Sequence, residues 1–352
     1  MDRFKHNVER AVRYVGKEGL SAKDQSEIID VQQSTQKQER ATTWQRIEEI
    51  QKEKRALVQG YMEWRKKSWN EKGARVNDRT EALERFLSFE ERQEARTLRM
   101  GSDGSFEMPL KGGEKVPLSK GEIFAAAEWG FWWKFDSSVP RELQREVMSH
   151  QVHYMIAEKY DKQLIALGKS NSQYDDKKRD TYARIEQTEK TLEVMPAGIL
   201  AEKMLMSFLT KEMHDGNLPF TVAAVDIYED VEHKIDFVIT VADARRGVRV
   251  GEPEHHIGIQ FTTNPHATEK KHRQLERMKH RMQETEVDEI VLVTMPLNDV
   301  RNMFDQWRYT QTGEHINQKK LDPRGPDHLW STETKKSIVD HLLRGIGLAQ
   351  KV

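Results

Sequence analysis

Glu202, Asp236, Gln260 and Lys271 are the residues whose types and spacing suit one chemistry. Glu202 shares a helical stripe with Leu205, Met206 and Leu209, which puts a carboxylate on the side of a helix that must face a sheet. In the run KIDFVITV, alternation assigns Ile235, Phe237, Ile239 and Val241 to one strand face, and Asp236 to the other with Val238 and Thr240. In HHIGIQFTT, Ile257, Ile259, Phe261 and Thr263 take one face and Gly258, Gln260 and Thr262 the opposite one. If the two strands are neighbours in register, Asp236 and Gln260 converge where Glu202 approaches. Carboxylates and a carboxamide oxygen are hard ligands suited to Mg²⁺, which keeps several waters and often bridges to phosphate. Lys271, Leu275, Met278 and Met282 follow a 4-3-4 spacing, so Lys271 should point toward the sheet while Lys270 turns to solvent. Plainer alternatives stand beside each assignment. Glu202 would be a helix-surface acid, Asp236 a strand-start residue paired with Lys234, Gln260 a satisfied core amide, and Lys271 a side chain snorkelling into water from a frayed first turn.

The histidines are the other chemistry-bearing group. Of the 13, His214, His233, His255, His256, His266, His272 and His280 crowd one stretch, yet no HxxxH or HExxH spacing occurs. Surface positions are therefore expected for most of them, not a zinc site.

The elements that would carry these residues begin at Pro196, which suits the start of a helix that runs to the stop at Asp215-Gly216. Three β-rich runs follow (FTVAAVDIY, KIDFVITV and HHIGIQFTT), then a helix opened by Asn264-Pro265 and a fourth strand in DEIVLVTMP. A helix near Val300 to Trp307 and a last helix opened at Ser331-Thr332 complete the chain. This order predicts an α/β sandwich over residues 191–352 with a central mixed sheet flanked by helices.

Residues 1–190 read as a mainly helical region with hairpin or coiled-coil helices. Trp44, Ile47, Ile50, Leu57 and Met62 supply a thin apolar stripe, and RTEALERFLSFEERQEARTL reads as another amphipathic helix. The Gly/Pro-containing segment near 101–118 is expected to be a loop. Ser119 and Glu122 form a capping-box pattern that opens a helix running into AAAEWGFWWKF, whose Phe131, Trp132, Trp133 and Phe135 are expected core. GKSNSQYDDKKRD is expected to be a linker or helix break. The fold class expected overall is α+β.

Composition narrows the partners. Of 352 residues 33% are charged and 36% hydrophobic, and Lys+Arg 57 against Asp+Glu 58 leaves a net charge of -1, so no global basic field draws the chain to nucleic acid. Zero cysteines exclude disulfides, thiolate metal sites and cysteine nucleophiles and fit a reducing cytoplasm. No apolar run approaches the ~20 residues of a membrane span, so no membrane partner is expected. The charged start MDRFKHNVERAVRY has no apolar h-region, so secretion is not expected and a cytoplasmic location is.

On its helical Glu202, the strand Asp236 in KIDF, and IQFT on the next strand, the chain resembles the PD-(D/E)XK nuclease superfamily over roughly residues 196 to 295. The resemblance implies a restriction-endonuclease-like fold in which Glu202 is the helix-borne acid, Asp236 the principal metal ligand, and Gln260 the second strand ligand. Gln is a known replacement there. It implies Mg²⁺ or Mn²⁺ as cofactor and hydrolysis of DNA or RNA phosphodiesters. The departure is Thr262, which stands where the family has its lysine; some members supply that lysine from the following helix, the place of Lys271. The alternative is a catalytically inactive relative serving as a binding or assembly module, with the N-terminal helices as the surface for a protein partner or self-association.

Overall fold

The computed structural model describes residues 45–63, 95–110, 113–171, 174–190, 195–241, 254–278, 287–295, 299–312 and 323–348, with residues 285 and 297. The protein is a mixed α+β fold holding two four-stranded mixed sheets flanked by helices.

The N-terminal unit starts with helix α1 (45–63). It buries Ile47, Ile50 and Tyr61, while Met62 is exposed, so the apolar stripe closes on Tyr61 instead of Met62. Trp44 and most of RTEALERFLSFEERQEARTL lie outside the described residues. The end of that run is strand β1 (Ala95–Met100), not helix. The expected loop near 101–118 holds two further strands, β2 (Phe106–Pro109) and β3 (Lys115–Leu118). Its glycines make tight turns instead of a long loop. Gly104 sits at φ 83 between β1 and β2, and Gly113 at φ 87 between β2 and β3, conformations that only glycine adopts at no steric cost. The predicted capping box is present: the Ser119 hydroxyl accepts from the Glu122 amide at 3.1 Å and Glu122 Oε2 from the Ser119 amide at 2.8 Å, opening α2 (Lys120–Ala125).

That helix tightens into a 3₁₀ turn (Ala126–Trp129) and stops at Gly130, φ 77. The helix predicted to continue into WWKF is instead β4 (Trp132–Phe135), because the left-handed glycine ends the helical ladder and the aromatic run then suits a strand. Trp132 and Trp133 are fully buried. The strand order is β3-β2-β1-β4, antiparallel except for the parallel β1–β4 pair.

Helices α3 (Arg141–Ser170) and α4 (Asp176–Lys190) pack as a hairpin. Gly168 permits this: a Cβ there would lie 2.5 Å from the Tyr182 ring. The polar GKSNSQYDDKKRD segment therefore runs from the last residues of α3 into the first of α4, with Asn171 buried and residues 172–173 outside the described ones. The expected boundary at 190/191 falls where 191–194 are outside the described residues. One apolar cluster nonetheless joins Leu98, Ile123 and Trp133 on one side to Leu205, Phe208, Ile239 and Ile259 on the other.

The second unit follows the predicted order: α5 (Ala197–His214), β5 (Thr221–Ala224), a π-helical turn (Glu229–His233), β6 (Phe237–Val241), β7 (His255–Thr262), α6 (Thr268–Met278) and β8 (Glu289–Thr294). The strands lie in the order β5-β6-β7-β8, with β8 parallel to β7 and the other pairs antiparallel. Helices α7 (Val300–Thr312) and α8 (Thr332–Gly345) close the chain, α8 capped by the Ser331 hydroxyl accepting from the Thr334 amide at 3.1 Å. Among the described residues no helix is long and apolar enough to cross a membrane.

Candidate functional site

Helix α5 buries Leu200, Ala201, Met204, Leu205, Phe208 and Leu209, and Glu202 sits at the edge of this stripe, partly accessible. The helix thus delivers one carboxylate to the rim of the sheet.

Asp236 is positioned by an irregularity in β6. Phe237 pairs with Ile259, and the amide of Asp236 reaches the Ile259 carbonyl at 2.8 Å, so two residues stand against one in the manner of a β-bulge. Lys234 just upstream is left-handed at φ 60, uncommon for a residue with a side chain. The bulge resets the alternation. Ile235, expected on the face of Phe237, instead packs over Gly258, whose Cβ would lie 3.3 Å from it. Asp236 turns toward β7 and its Oδ2 accepts the Phe261 amide at 2.7 Å, so it is not merely a strand-start residue paired with Lys234. The Lys234 ammonium instead donates to the Val231 carbonyl at 2.5 Å.

Gln260 stands on β7 next to that clamped Phe261 peptide. It is buried, and among the described residues its Oε1 accepts from no donor, so it is not a satisfied core amide there. Lys271 does not snorkel: its ammonium donates to the Phe261 carbonyl at 2.5 Å, while Lys270 is exposed as expected. Of the stripe used to orient it, Leu275 is buried; the Met278 side chain and Met282 lie outside the described residues. Thr262 offers no replacement for a lysine, since its hydroxyl is engaged with the backbone of Asn264 at 3.3 Å.

Glu202, Asp236 and Lys271 therefore share one electrostatic neighbourhood, and two carboxylates missed in the sequence share it with them. Asp230 lies in the π-helical turn. Burial, and behind it the neighbouring Asp230 charge, push Asp236 up to about 7 against the pull of the Phe261 amide, Lys271 and Lys234. Burial lifts Asp230 to about 6, opposed by Lys234 and Lys271. Glu202 is raised well above the usual carboxylate range by burial and then by Asp230 and Asp236. Glu128, on the 3₁₀ turn of the N-terminal unit, is raised to about 7 by burial, against Lys203 and a hydrogen bond with Tyr154. A π turn steps its residues differently from an α-helix, so helical spacing could not point to Asp230. The signal for Glu128 was present as a single acid within the small and apolar run AAAEWGF.

The histidines divide between surface and interior. His255 bridges Asp288 and Glu289 at 3.3 and 3.1 Å, and the His256 ring meets Thr240 Oγ1 at 3.0 Å, away from the carboxylates. Among the described residues His233 is fully buried, while His214, His255 and His256 are partly exposed and His266 and His272 exposed; burial lowers His150 and His214. Among the described residues no three His, Asp or Glu side chains come together to cage a metal. Among the described residues the oxygens that could serve a cation keeping its waters are the Gln260 Oε1 and the carboxylates of Asp236, Asp230 and Glu202, whose charges oppose one another.

Comparison with protein-family models, curated proteins and solved structures finds no match for this chain.

Proposed function

We propose that the protein is a metal-dependent hydrolase of nucleic-acid phosphodiesters, with a PD-(D/E)XK-like unit spanning α5 to β8. The observation that carries the reading is the Phe261 backbone, whose amide is held by Asp236 and whose carbonyl is held by Lys271. An acid and an ammonium held on one residue of β7, next to the buried Gln260, support this reading, and so does the helix–three strands–helix–strand order. Asp236 and Gln260 would hold Mg²⁺ or Mn²⁺, which supplies Lewis-acid polarisation of a phosphoryl oxygen and a water of lowered pKa. Lys271, partly buried at the first turns of α6, contributes positive charge where a phosphate gains negative charge. Glu202 and Asp230 surround the position with acceptor oxygens for water. A water oxygen would bond to phosphorus as the bond to the leaving sugar oxygen breaks.

A second reading has one observation in its favour. The Lys271 ammonium is already engaged with a carbonyl and Thr262 with Asn264, which suits an inactive module that binds without cleaving. A nuclease assay on mixed DNA and RNA with Mg²⁺ or Mn²⁺, run beside Asp236→Ala, separates the two. Metal-dependent cleavage lost in Asp236→Ala supports the hydrolase. No cleavage by the folded parent favours the module.

A further inference from the structure

The junction of α2, α3 and α5 holds two half-buried histidines that the proposed chemistry does not use. The rings of Phe124 on α2 and His214 at the end of α5 stack with centroids 3.5 Å apart and an interplanar angle of 11°. His150 on α3 meets the same Phe124 edge-on at 5.4 Å and His214 at 5.9 Å. The three helices are thus joined through one aromatic ring between two imidazoles. The backbones are equally close: a Cβ on Gly121 would lie 2.1 Å from the Lys211 carbonyl.

The charged groups around this cluster are already committed. Asp215, which caps α5, accepts the Ser119 hydroxyl at 2.9 Å and the Gly121 amide at 2.6 Å, so it holds the first turn of α2. Glu146 on α3 pairs with Lys120 on α2 at 2.8 Å. The Lys120 ammonium stands 5.9 Å from the Phe124 ring centre. His153, one turn beyond His150, adds a third imidazole and packs against Tyr61 at 5.7 Å.

A proton on either imidazole meets an unfavourable environment. Burial opposes the charge first in both; Lys120 then acts on His214, and His214 and His153 act on His150, leaving each ring at about 4 against 6.5 in the open chain. Glu146 and Asp215 favour the charge on His214 from where they stand, but by less than burial and Lys120 oppose it, so protonation sets a charge against the Phe124 stack at the place where Asp215 fastens α2. Stacking of an imidazolium on Phe124 returns less than burying a charge beside Lys120 costs.

We propose that this junction is an acid-opened latch: protonation of His150 and His214 frees Phe124 and releases α2, and with it the N-terminal unit's hold on the helix that carries Glu202. The latch is independent of the hydrolase reading. The sign is fixed by linkage. Both groups have folded values below their open-chain value, so their contribution is complete above 6.5 and is lost as pH falls toward 4.

Amide hydrogen exchange on the full chain tests it. Between pH 6.5 and 4, exchange in α2, corrected for the intrinsic rate, should accelerate on the order of 10²-fold for each imidazole while β6 and β7 stay protected. His150→Gln with His214→Phe, which keeps a donor toward the Phe124 carbonyl and an aromatic ring in the stack, should abolish most of that acceleration. If the double variant does not fold, His214→Phe alone should remove at least about tenfold of it. The latch is overturned if α2 accelerates equally in parent and variant, if it does not accelerate in the parent, or if α2 opens only together with β6 and β7.

Discussion

Lys271 donates its ammonium to the carbonyl oxygen of Phe261 at 2.5 Å, across the space between the first turns of α6 and the end of β7. The amide of the same Phe261 is taken by Asp236 at 2.7 Å. The backbone N–H and C=O of one residue, which belong to successive peptide groups, therefore tie an acid at the start of β6 and a cation from α6 to the same strand position, and neither side chain can shift without breaking a short hydrogen bond. Partly buried opposite charges held this way form a site with a defined geometry, unlike a surface pair in free exchange with water.

Substitution at Lys271 separates its charge from general basicity. Lys271→Ala should lower metal-dependent cleavage by about 10²-fold or more, the scale of losing one positioned donor to developing negative charge. Lys270→Ala, on the exposed side of the same helix, should change it by less than about threefold. Both variants should keep their melting temperature to within the effect of one hydrogen bond, about 1 kcal/mol. Equal losses from the two would reduce Lys271 to a contributor to surface potential.

Gln260 gives a stability test that needs no substrate. Its Oε1 is buried without a donor, a cost to the folded chain that an apolar side chain of similar volume would remove. Gln260→Met should leave stability unchanged or raise it by about 1 kcal/mol in urea unfolding, while abolishing divalent-cation binding seen by calorimetry. A large loss of stability would show instead that the amide group is structural.

These side chains show how far the sequence could be read. The element order from Pro196 to Met295 was legible because helix and strand periodicities differ and because Asp215-Gly216 and Asn264-Pro265 punctuate them. The neighbourhood of Asp236 and Gln260 followed from that order. The bulge before Phe237 was not legible: KIDFVITV alternates cleanly, and nothing in it announces that Lys234 turns left-handed and reverses the face of Ile235. The N-terminal sheet escaped for a different reason. Its β1 to β3 strands are short, charged and broken by glycine and proline, which reads as loop when tertiary pairing is unknown. The short helix closed by Gly130 was likewise overridden by a single conformation.

The raised carboxyls predict an unusual pH dependence for the metal-free chain. Asp236 at about 7 and Asp230 at about 6, against 3.8 in the open chain, hold protons that the unfolded chain has lost. Their contribution is complete below 3.8 and disappears as pH rises through 6 and 7, opposite in direction to that of His150 and His214. Asp236→Asn should therefore gain on the parent as pH rises across this window, by about 1 kcal/mol for each pKa unit removed. Thermal melts at a series of pH values, with and without Mg²⁺, check both the slope and its suppression by the cation. A parent-minus-variant difference that is flat with pH would contradict the carboxyl cluster.

The turn that carries Glu128 rests on a buried relay, which makes the last prediction. The Trp129 indole N–H donates to Ser207 Oγ at 2.9 Å, and the Ser207 hydroxyl donates to Asp327 Oδ1 at 2.8 Å, both within the core. Lys203 lies over the same indole at 5.3 Å, one residue after Glu202. Three distant segments, the 3₁₀ turn after α2, helix α5 and the segment before α8, are thus joined through one hydroxyl. Ser207→Ala leaves an indole donor and a buried carboxyl without that partner. Each orphaned group costs about 1–3 kcal/mol, so the variant should lose about 2–4 kcal/mol in urea unfolding with an unchanged m-value. Asp327→Asn keeps an acceptor for the hydroxyl and should cost less than half as much, because burial already raises the Asp327 carboxyl toward its neutral form. Equal losses from the two variants would place the stabilisation in the Asp327 charge and not in the relay through Ser207.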